Sequence, residues 1–257
     1  MTDRREPIAV LIPVLNEAER IGALLESLQA MDFAEIIVAD GGSVDGTQGI
    51  VQTFPSVRLV TCERGRGTQI GAAAAIATCP ILVIVHADTG LPANAPQLIW
   101  DTMKEPGVAA GCFRLAFEPS TPTLALYAWF TRFETRLTTF GDQCYFMRRQ
   151  TYESAGGVPR WPLLEDVALR DRLRVHGRFL KRPEHVVTSA RRFVKHGIVG
   201  QQIRNAFVLA GYSCGIPVQR LARLYNKQAA QQQPPPLVVE ATVVANGNDV
   251  PQPAKMP

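Results

Sequence analysis

Residues 81–90 read ILVIVHADTG, five apolar residues followed by His86, Ala87 and Asp88. Such a branched run is typical of a strand buried on both faces of a parallel sheet. Ligands of open α/β sheets bind outside the carboxyl ends of the strands. A histidine and a carboxylate at such an end are therefore candidates for holding a charged group or a metal ion. The competing reading is a plain turn, which aspartate after a strand often starts. Two more strand ends carry polar loops: IAVLI (8–12) runs into PVLNE (13–17), and EIIVAD (35–40) into DGGSVDGT (40–47). Each loop alone reads as a turn, but three in succession can converge on one ligand at one sheet edge. A Gly-Arg-Gly segment (65–67) opens the alanine-rich stretch GTQIGAAAAIA. A helix N-terminus beside an arginine is a ready site for a diphosphate. Further on, LLEDVALRDRL puts Glu165 and Asp166 in the first turn of a helix. There they either complement the helix dipole or act on an acceptor.

These residues need elements to position them. VRLVT (57–61) reads as a third strand and ILVIV as a fourth. Ile21, Leu24, Leu25 and Leu28 recur at helical spacing after Glu17; Ile50, Val51 and Phe54 mark a short helix, and Leu98, Ile99 and Met103 another. This alternation implies parallel strands with right-handed crossovers, a Rossmann-like half. After Pro106 the pattern is irregular: VAAGCFRLAF and QCYFMR read as strands, with an aromatic-rich helical stretch around Tyr127–Leu137 between them. EDVALRDRLRVHG reads as a helix ended by Gly177. Residues 197–225 are apolar but interrupted by Gln201, Gln202, Arg204 and Asn205, which argues for amphipathic helices rather than a span. Their apolar face either packs on the protein, forms a homodimer, or rests on an anionic membrane through Arg220 and Arg223. From Ala230 the chain becomes QQQPPP and a polar, proline-rich tail, a composition expected to be disordered.

The bulk composition narrows the classes. The chain has 257 residues, 46% hydrophobic and 19% charged, with a formal charge of +4; this suits a soluble globular protein. Basic residues are dense between Arg148 and Arg223, which leaves phosphate ligands and anionic lipid as partners. No basic–aromatic nucleic-acid module is present, so nucleic acid is not expected. Five cysteines are odd in number and lack metal-ligand spacing. With no signal-peptide h-region and no apolar run of about 18 residues, a cytoplasmic location is expected.

The order PVLNE, DGGSVDGT, RGRGTQ, HAD, GDQCYF and LLEDVALRDRL resembles the family 2 glycosyltransferases of GT-A fold. It is also similar to their short bacterial radical-SAM/selenodomain-associated subfamily, which has GDQ and SARR segments. The resemblance covers roughly residues 6–225. It implies an α/β protein with a Rossmann-like mixed sheet, one domain with a helical C-terminal segment and the disordered tail. The expected parts are a nucleotide-sugar-binding half (6–105), an acceptor and catalytic half (106–196), the helical segment (197–228) and the tail (229–257). It further implies inverting transfer from a UDP- or GDP-sugar to a small or lipid-like acceptor, with Mg²⁺ or Mn²⁺.

Position by position, the resemblance points to Pro13, Leu15 and Glu17 at the nucleobase, and to Asp40 and Gly41 at base and ribose. Arg66 and Gln69 match the segment near ribose and diphosphate, and Arg191 and Arg192 would close over the diphosphate. His86-Ala87-Asp88 matches an Asp-x-Asp motif, with His86 and Ala87 at the donor and Asp88 the metal ligand. Asp142 and Gln143 match the sugar pocket, Glu165 would hold the acceptor, and Asp166 would be the general base. Gly41, Gly71 and His86 depart from the family pattern. Those departures keep a non-catalytic nucleotide-sugar-binding module as an alternative. A sugar nucleotidyltransferase should carry its Gly-rich loop after the first strand, where PVLNE stands, and no G-x-G-x-x-G supports a dehydrogenase.

Overall fold

The structure is a computed structural model that describes residues 5–190, 198–225 and the pair 243–244, with the backbone alone in 198–205, at 225 and at the pair. Four strands, β1 (Ile8–Val14), β2 (Glu35–Asp40), β3 (Val57–Thr61) and β4 (Ile81–Ile84), alternate with α1 (Ala18–Gln29), α2 (Thr47–Gln52) and α3 (Arg66–Ile76). They pair in parallel in the order β4-β1-β2-β3, with Leu11 opposite Ile84 and Val14 opposite Asp40. β1 runs through Pro13, beyond the expected stop. The loops after β1, β2 and β4 therefore leave the sheet on one edge.

The second half continues the same sheet. It comprises β5 (Thr89–Gly90), α4 (Ala95–Lys104), β6 (Val108–Glu118), α5 (Pro122–Phe130), β7 (Phe146–Arg148), α6 (Arg149–Ser154), α7 (Glu165–Leu173) and β8 (Arg178–Ser189). β7 lies antiparallel between β4 and β6, β6 is parallel to β8, and β8 is antiparallel to β5. Two helices, α8 (Ile198–Ser213) and α9 (Val218–Tyr225), follow. The helix expected around Tyr127–Leu137 is α5, which ends at Phe130 and gives way to turns. β5 and β8 were not anticipated. β8 is half exposed and carries charges and Pro183, so it shows no clean period of two. Within the tail, Val243–Val244 pair antiparallel with Leu59 and Val60 as a short strand β9. This departs from the expected lack of structure there: two β-branched residues meet the unpaired edge of β3. The rest of 229–257 lies outside the described residues.

Alternation along the strands fills both faces of the sheet. On one, Val10, Ile12 and Val14 meet Ile21, Leu25 and Leu28 of α1 and Ile99 of α4. On the other, Leu11 and Ile37 meet Ile70 and Ala73 of α3 and Leu169 of α7. Helices on both faces make the strands continuous apolar runs, as read from the sequence. In the C-terminal segment, Val208, Leu209, Val218, Leu221 and Ala222 are buried. Part of the apolar surface of α8 and α9 is thus buried, while Phe207 and Leu224 stay exposed. No described helix is long and apolar enough to cross a membrane.

Candidate active site

The loops after β1 and β2 are laced together. Asn16 N–H donates to Ser43 Oγ at 2.8 Å, Val44 N–H to Asn16 Oδ1 at 2.9 Å, Glu17 N–H to Thr47 Oγ1 at 2.9 Å and Ala18 N–H to Asp45 Oδ2 at 3.0 Å. Asp45 thereby satisfies a free N–H at the start of α1. Asp40 is fully buried and accepts from Gly42 N–H and Ser43 N–H, both at 3.0 Å, from Gln48 Nε2 at 2.6 Å and from the Ser43 hydroxyl. Its carboxylate builds the loop. Pro13 is buried in β1, Leu15 is half-buried, and Glu17 ion-pairs with Arg20 at 3.0 Å.

Gln69 explains one departure from the family pattern. Its buried amide donates to Val14 O at 2.6 Å and to Ala39 O at 3.1 Å, tying α3 to the ends of β1 and β2. A Cβ at Gly41 would lie 3.0 Å from the Gln69 amide carbon, so this amide fills the place of a side chain at 41. A side chain at Gly71 would meet open space. Gly65 has φ +145°, and a Cβ at Gly67 would lie 2.2 Å from Pro159 O. Both glycines of the Gly-Arg-Gly segment therefore answer to backbone geometry, and they set Arg66 at the first position of α3.

Arg66 is the centre of the charged cluster. Its Nε ion-pairs with Glu165 at 2.6 Å; Glu165 is 2% exposed, whereas the Arg66 side chain remains 45% exposed. Burial works against the charge on Arg66, but Glu165 first, then Asp166, Asp142 and Asp88, hold its pKa above the ordinary arginine value. Burial, with Asp166 and Asp88 close by, pushes Asp142 up to about 7 against the pull of Arg66 and Lys181. Asp166 accepts from Gly141 N–H at 2.7 Å and from its own neighbour Val167 N–H at 2.8 Å. A Cβ at Gly141 would come within 3.1 Å of Asp166 and 3.4 Å of His86 Nε2, so this turn packs closely against both. Arg66, His86, Glu165 and Asp166 line one small cavity of about 10 Å³, with Tyr145 and Val158 among its apolar walls. Asp88 is half-buried and accepts from the Thr89 hydroxyl at 3.3 Å, while Ala87 is buried in the core.

Sequence and structure differ at several positions. Gln143 is fully buried; its amide donates to Thr138 O at 2.7 Å and its carbonyl faces the Cys112 thiol, so it supports the pocket wall from behind instead of lining it. Glu165, expected to hold an acceptor, ion-pairs with Arg66. Arg191 and Arg192 lie outside the described residues. Other contributors were missed. Lys181 donates to Phe133 O and Thr138 O at 3.0 Å and to Thr139 Oγ1 at 2.9 Å, and Arg170 bonds Glu134 at 2.7 Å, fastening the 131–140 loop onto β8 and α7. The described non-glycine residues with left-handed backbone are Asn16 (φ 54°), Cys144 (φ 54°) and Leu164 (φ 60°). Each flanks a site loop, where strained backbone concentrates.

Comparison with known proteins bears on the family and the fold. The family model described as "Glycosyl transferase family 2" matches residues 9–154. An uncharacterised glycosyltransferase of Mycobacterium tuberculosis is 28% identical over 107 residues, 41% of this chain and 48% of the relative, so the chain spans about half that relative's length. Glycosyltransferase AglJ of Haloferax volcanii is 31% identical over 65 residues, 25% of this chain and 22% of its own. Among solved structures, a mannosyltransferase from Pyrobaculum calidifontis in complex with GDP-Man and Mn²⁺ superposes with a TM-score of 0.58 at 20% identity, covering 90% of this chain and 77% of that one. Glucosyl-3-phosphoglycerate synthase from M. tuberculosis, in complex with Mn²⁺, UDP and glucosyl-3-phosphoglycerate, gives 0.58 at 20% identity, over 82% and 81%. These likenesses establish the GT-A fold. Because the family model takes in more than half of the chain, including the laced loops, Arg66 and Asp88, the chain belongs to glycosyl transferase family 2.

Proposed function

We propose that the protein is an inverting glycosyltransferase that moves a sugar from a UDP- or GDP-sugar to a hydroxyl or carboxylate of a small or lipid-like acceptor. The observation that carries this reading is the placement of Arg66. One half-exposed guanidinium at a helix N-terminus stands among Asp88, Asp142, Glu165 and Asp166, beside the carboxyl edge of the parallel strands. Arg66 binds the donor diphosphate, with the α3 N–H groups adding to the attraction. Glu165 holds Arg66 in place. Asp166, oriented by two backbone N–H groups, takes the acceptor proton as the acceptor oxygen attacks the anomeric carbon. The bond from that carbon to the diphosphate oxygen breaks, and the nucleoside diphosphate departs. A single displacement of this kind needs one base. His86 and Asp142 flank the sugar. The laced loops present Leu15, Glu17 and Gly41 to the base and ribose.

The donor set also suits a divalent cation. Among the described residues no three His, Cys, Asp or Glu side chains converge to hold a metal. Asp88 therefore offers a single hard carboxylate, and Mg²⁺ or Mn²⁺ accepts one carboxylate together with phosphate oxygens and waters. When bound, such an ion neutralises charge on the departing diphosphate. The two neighbours solved with Mn²⁺ support the assignment. We place the enzyme in the cytoplasm, at the inner membrane face when its acceptor is a lipid.

A thermal-shift panel of UDP- and GDP-sugars with and without Mn²⁺ tests the reading. One donor should raise the melting temperature in an Mn²⁺-dependent way, and Asp88→Ala should abolish that dependence while the apo protein melts normally. Absence of a shift with every donor would refute nucleotide-sugar binding. A donor that binds yet is neither transferred nor hydrolysed would identify the non-catalytic module instead.

A further inference from the structure

Among the described residues, a cluster of exposed apolar side chains lies on α5 and the turn after it. In PTLALYAWF only Leu124 is buried. Leu126 (59% exposed), Trp129 (45%) and Phe130 (45%) are followed by Phe133 (46%) and Leu137 (63%). A helix that is apolar all round is ordinarily a buried one, so this surface calls for a cover. The residues are contiguous: the Trp129 ring lies 5.1 Å from Phe130 and 5.5 Å from Phe133.

The surrounding charge selects the cover. The Arg132 guanidinium stacks 4.3 Å over the Trp129 ring, and the Arg136 and Arg174 side chains, about half exposed, ion-pair with Asp171 and with Glu134 of the following turn. The nearby carboxylates, Glu134 and Asp171, are already paired with Arg170, Arg174 and Arg136. Arg132, Arg136, Arg170 and Arg174 thus outnumber these two carboxylates, and the rim keeps a net positive charge beside the aromatic residues. A second copy of the chain would bring like charges together. An anionic bilayer matches both parts, because indole and phenyl rings settle at the headgroup level and guanidinium groups pair with lipid phosphates.

We propose that α5 and the 131–137 turn dock the protein on an anionic membrane surface. The 131–140 loop that carries the patch runs directly into Gly141, whose N–H holds Asp166, so docking sets the catalytic edge next to the lipid headgroups. The inference concerns the surface and stands apart from the transfer chemistry, which the donor panel tests separately.

The test uses the full chain with phosphatidylcholine vesicles, pure or containing phosphatidylglycerol. The wild type should cosediment with the anionic vesicles at low salt and release at high salt. In a W100F/W161F protein, the remaining Trp129 should be quenched by brominated acyl chains. Trp129→Ser with Phe133→Ser should weaken partitioning by about tenfold or more, the scale expected from two lost aromatic insertions. Arg220→Glu with Arg223→Glu on α9 should leave it close to wild type. Failure of the wild type to bind anionic vesicles would overturn the proposal, as would unquenched Trp129 on bound protein. Concentration-dependent dimerisation that the Ser variant abolishes, without vesicle binding, would assign the patch to a second copy. The quenching readout holds even if the Ser variant fails to fold.

Discussion

Asp166 has one carboxylate oxygen on Gly141 N–H and the other on Val167 N–H. Replacement by asparagine keeps one acceptor oxygen and removes the proton-accepting function. Asp166→Asn should therefore bind donor in calorimetry with near-wild-type affinity while kcat falls by about 10²–10⁴-fold. Near-normal turnover would move the base to Asp142. At this scale the sequence showed which chemical residues stand at a strand end or helix start, as His86, Asp88 and Asp166 do. It was silent on partnerships made by folding. Gln69 reaches Val14, 55 positions away, and Glu165 meets Arg66 from a distant part of the chain. No local pattern records such contacts, so a glutamine that builds the floor and one that touches a ligand look alike in the chain.

α3 is positioned by contact rather than by capping. No side chain caps its N-terminus, and Gly67 lets the backbone at Pro159 press against it. Gly67→Ala places a Cβ 2.2 Å from the Pro159 carbonyl oxygen, an overpacking that costs about 1–3 kcal/mol. The melting temperature should fall by roughly 2–4 °C per kcal/mol for a chain of this size. Donor affinity should fall with it, because Arg66 moves with the helix; a variant with unchanged melting and unchanged donor binding would show that the contact is slack. The elements of the first half were legible because buried parallel strands and amphipathic helices have distinct periods. β8 was not: its pattern mixes exposed charges with buried valines, and its pairing with β6 contains two register shifts. α5 was legible as apolar, but an apolar helix read from sequence is assumed to be covered, and this one is not.

Across the whole molecule, negative charge collects at one edge and must be balanced there. Asp142 rises from an ordinary 3.8 to about 7 through burial and its carboxylate neighbours. A carboxyl with a raised folded-state pKa binds more protons folded than unfolded, so its contribution is present below about pH 4 and is lost as pH climbs through about 7. In chelator-treated buffer, stability to urea should decline across that window, and Asp142→Asn should flatten the decline; an identical slope in the variant would contradict the assignment. The general architecture was readable because strand–helix alternation leaves few topologies, whereas the order of the second half was not, since irregular antiparallel strands carry no such rule. That order has a consequence for inheritance. β7 stands between β4 and β6, matching Ile81 to Arg148, Leu82 to Met147 and Val83 to Phe146. The four parallel strands of the first half and the antiparallel strands of the second are thus woven into one sheet, not joined by a hinge. A chimaera that transplants the second half between relatives must therefore carry over the β7 seam intact, whereas changes in the loops along the edge leave that seam undisturbed.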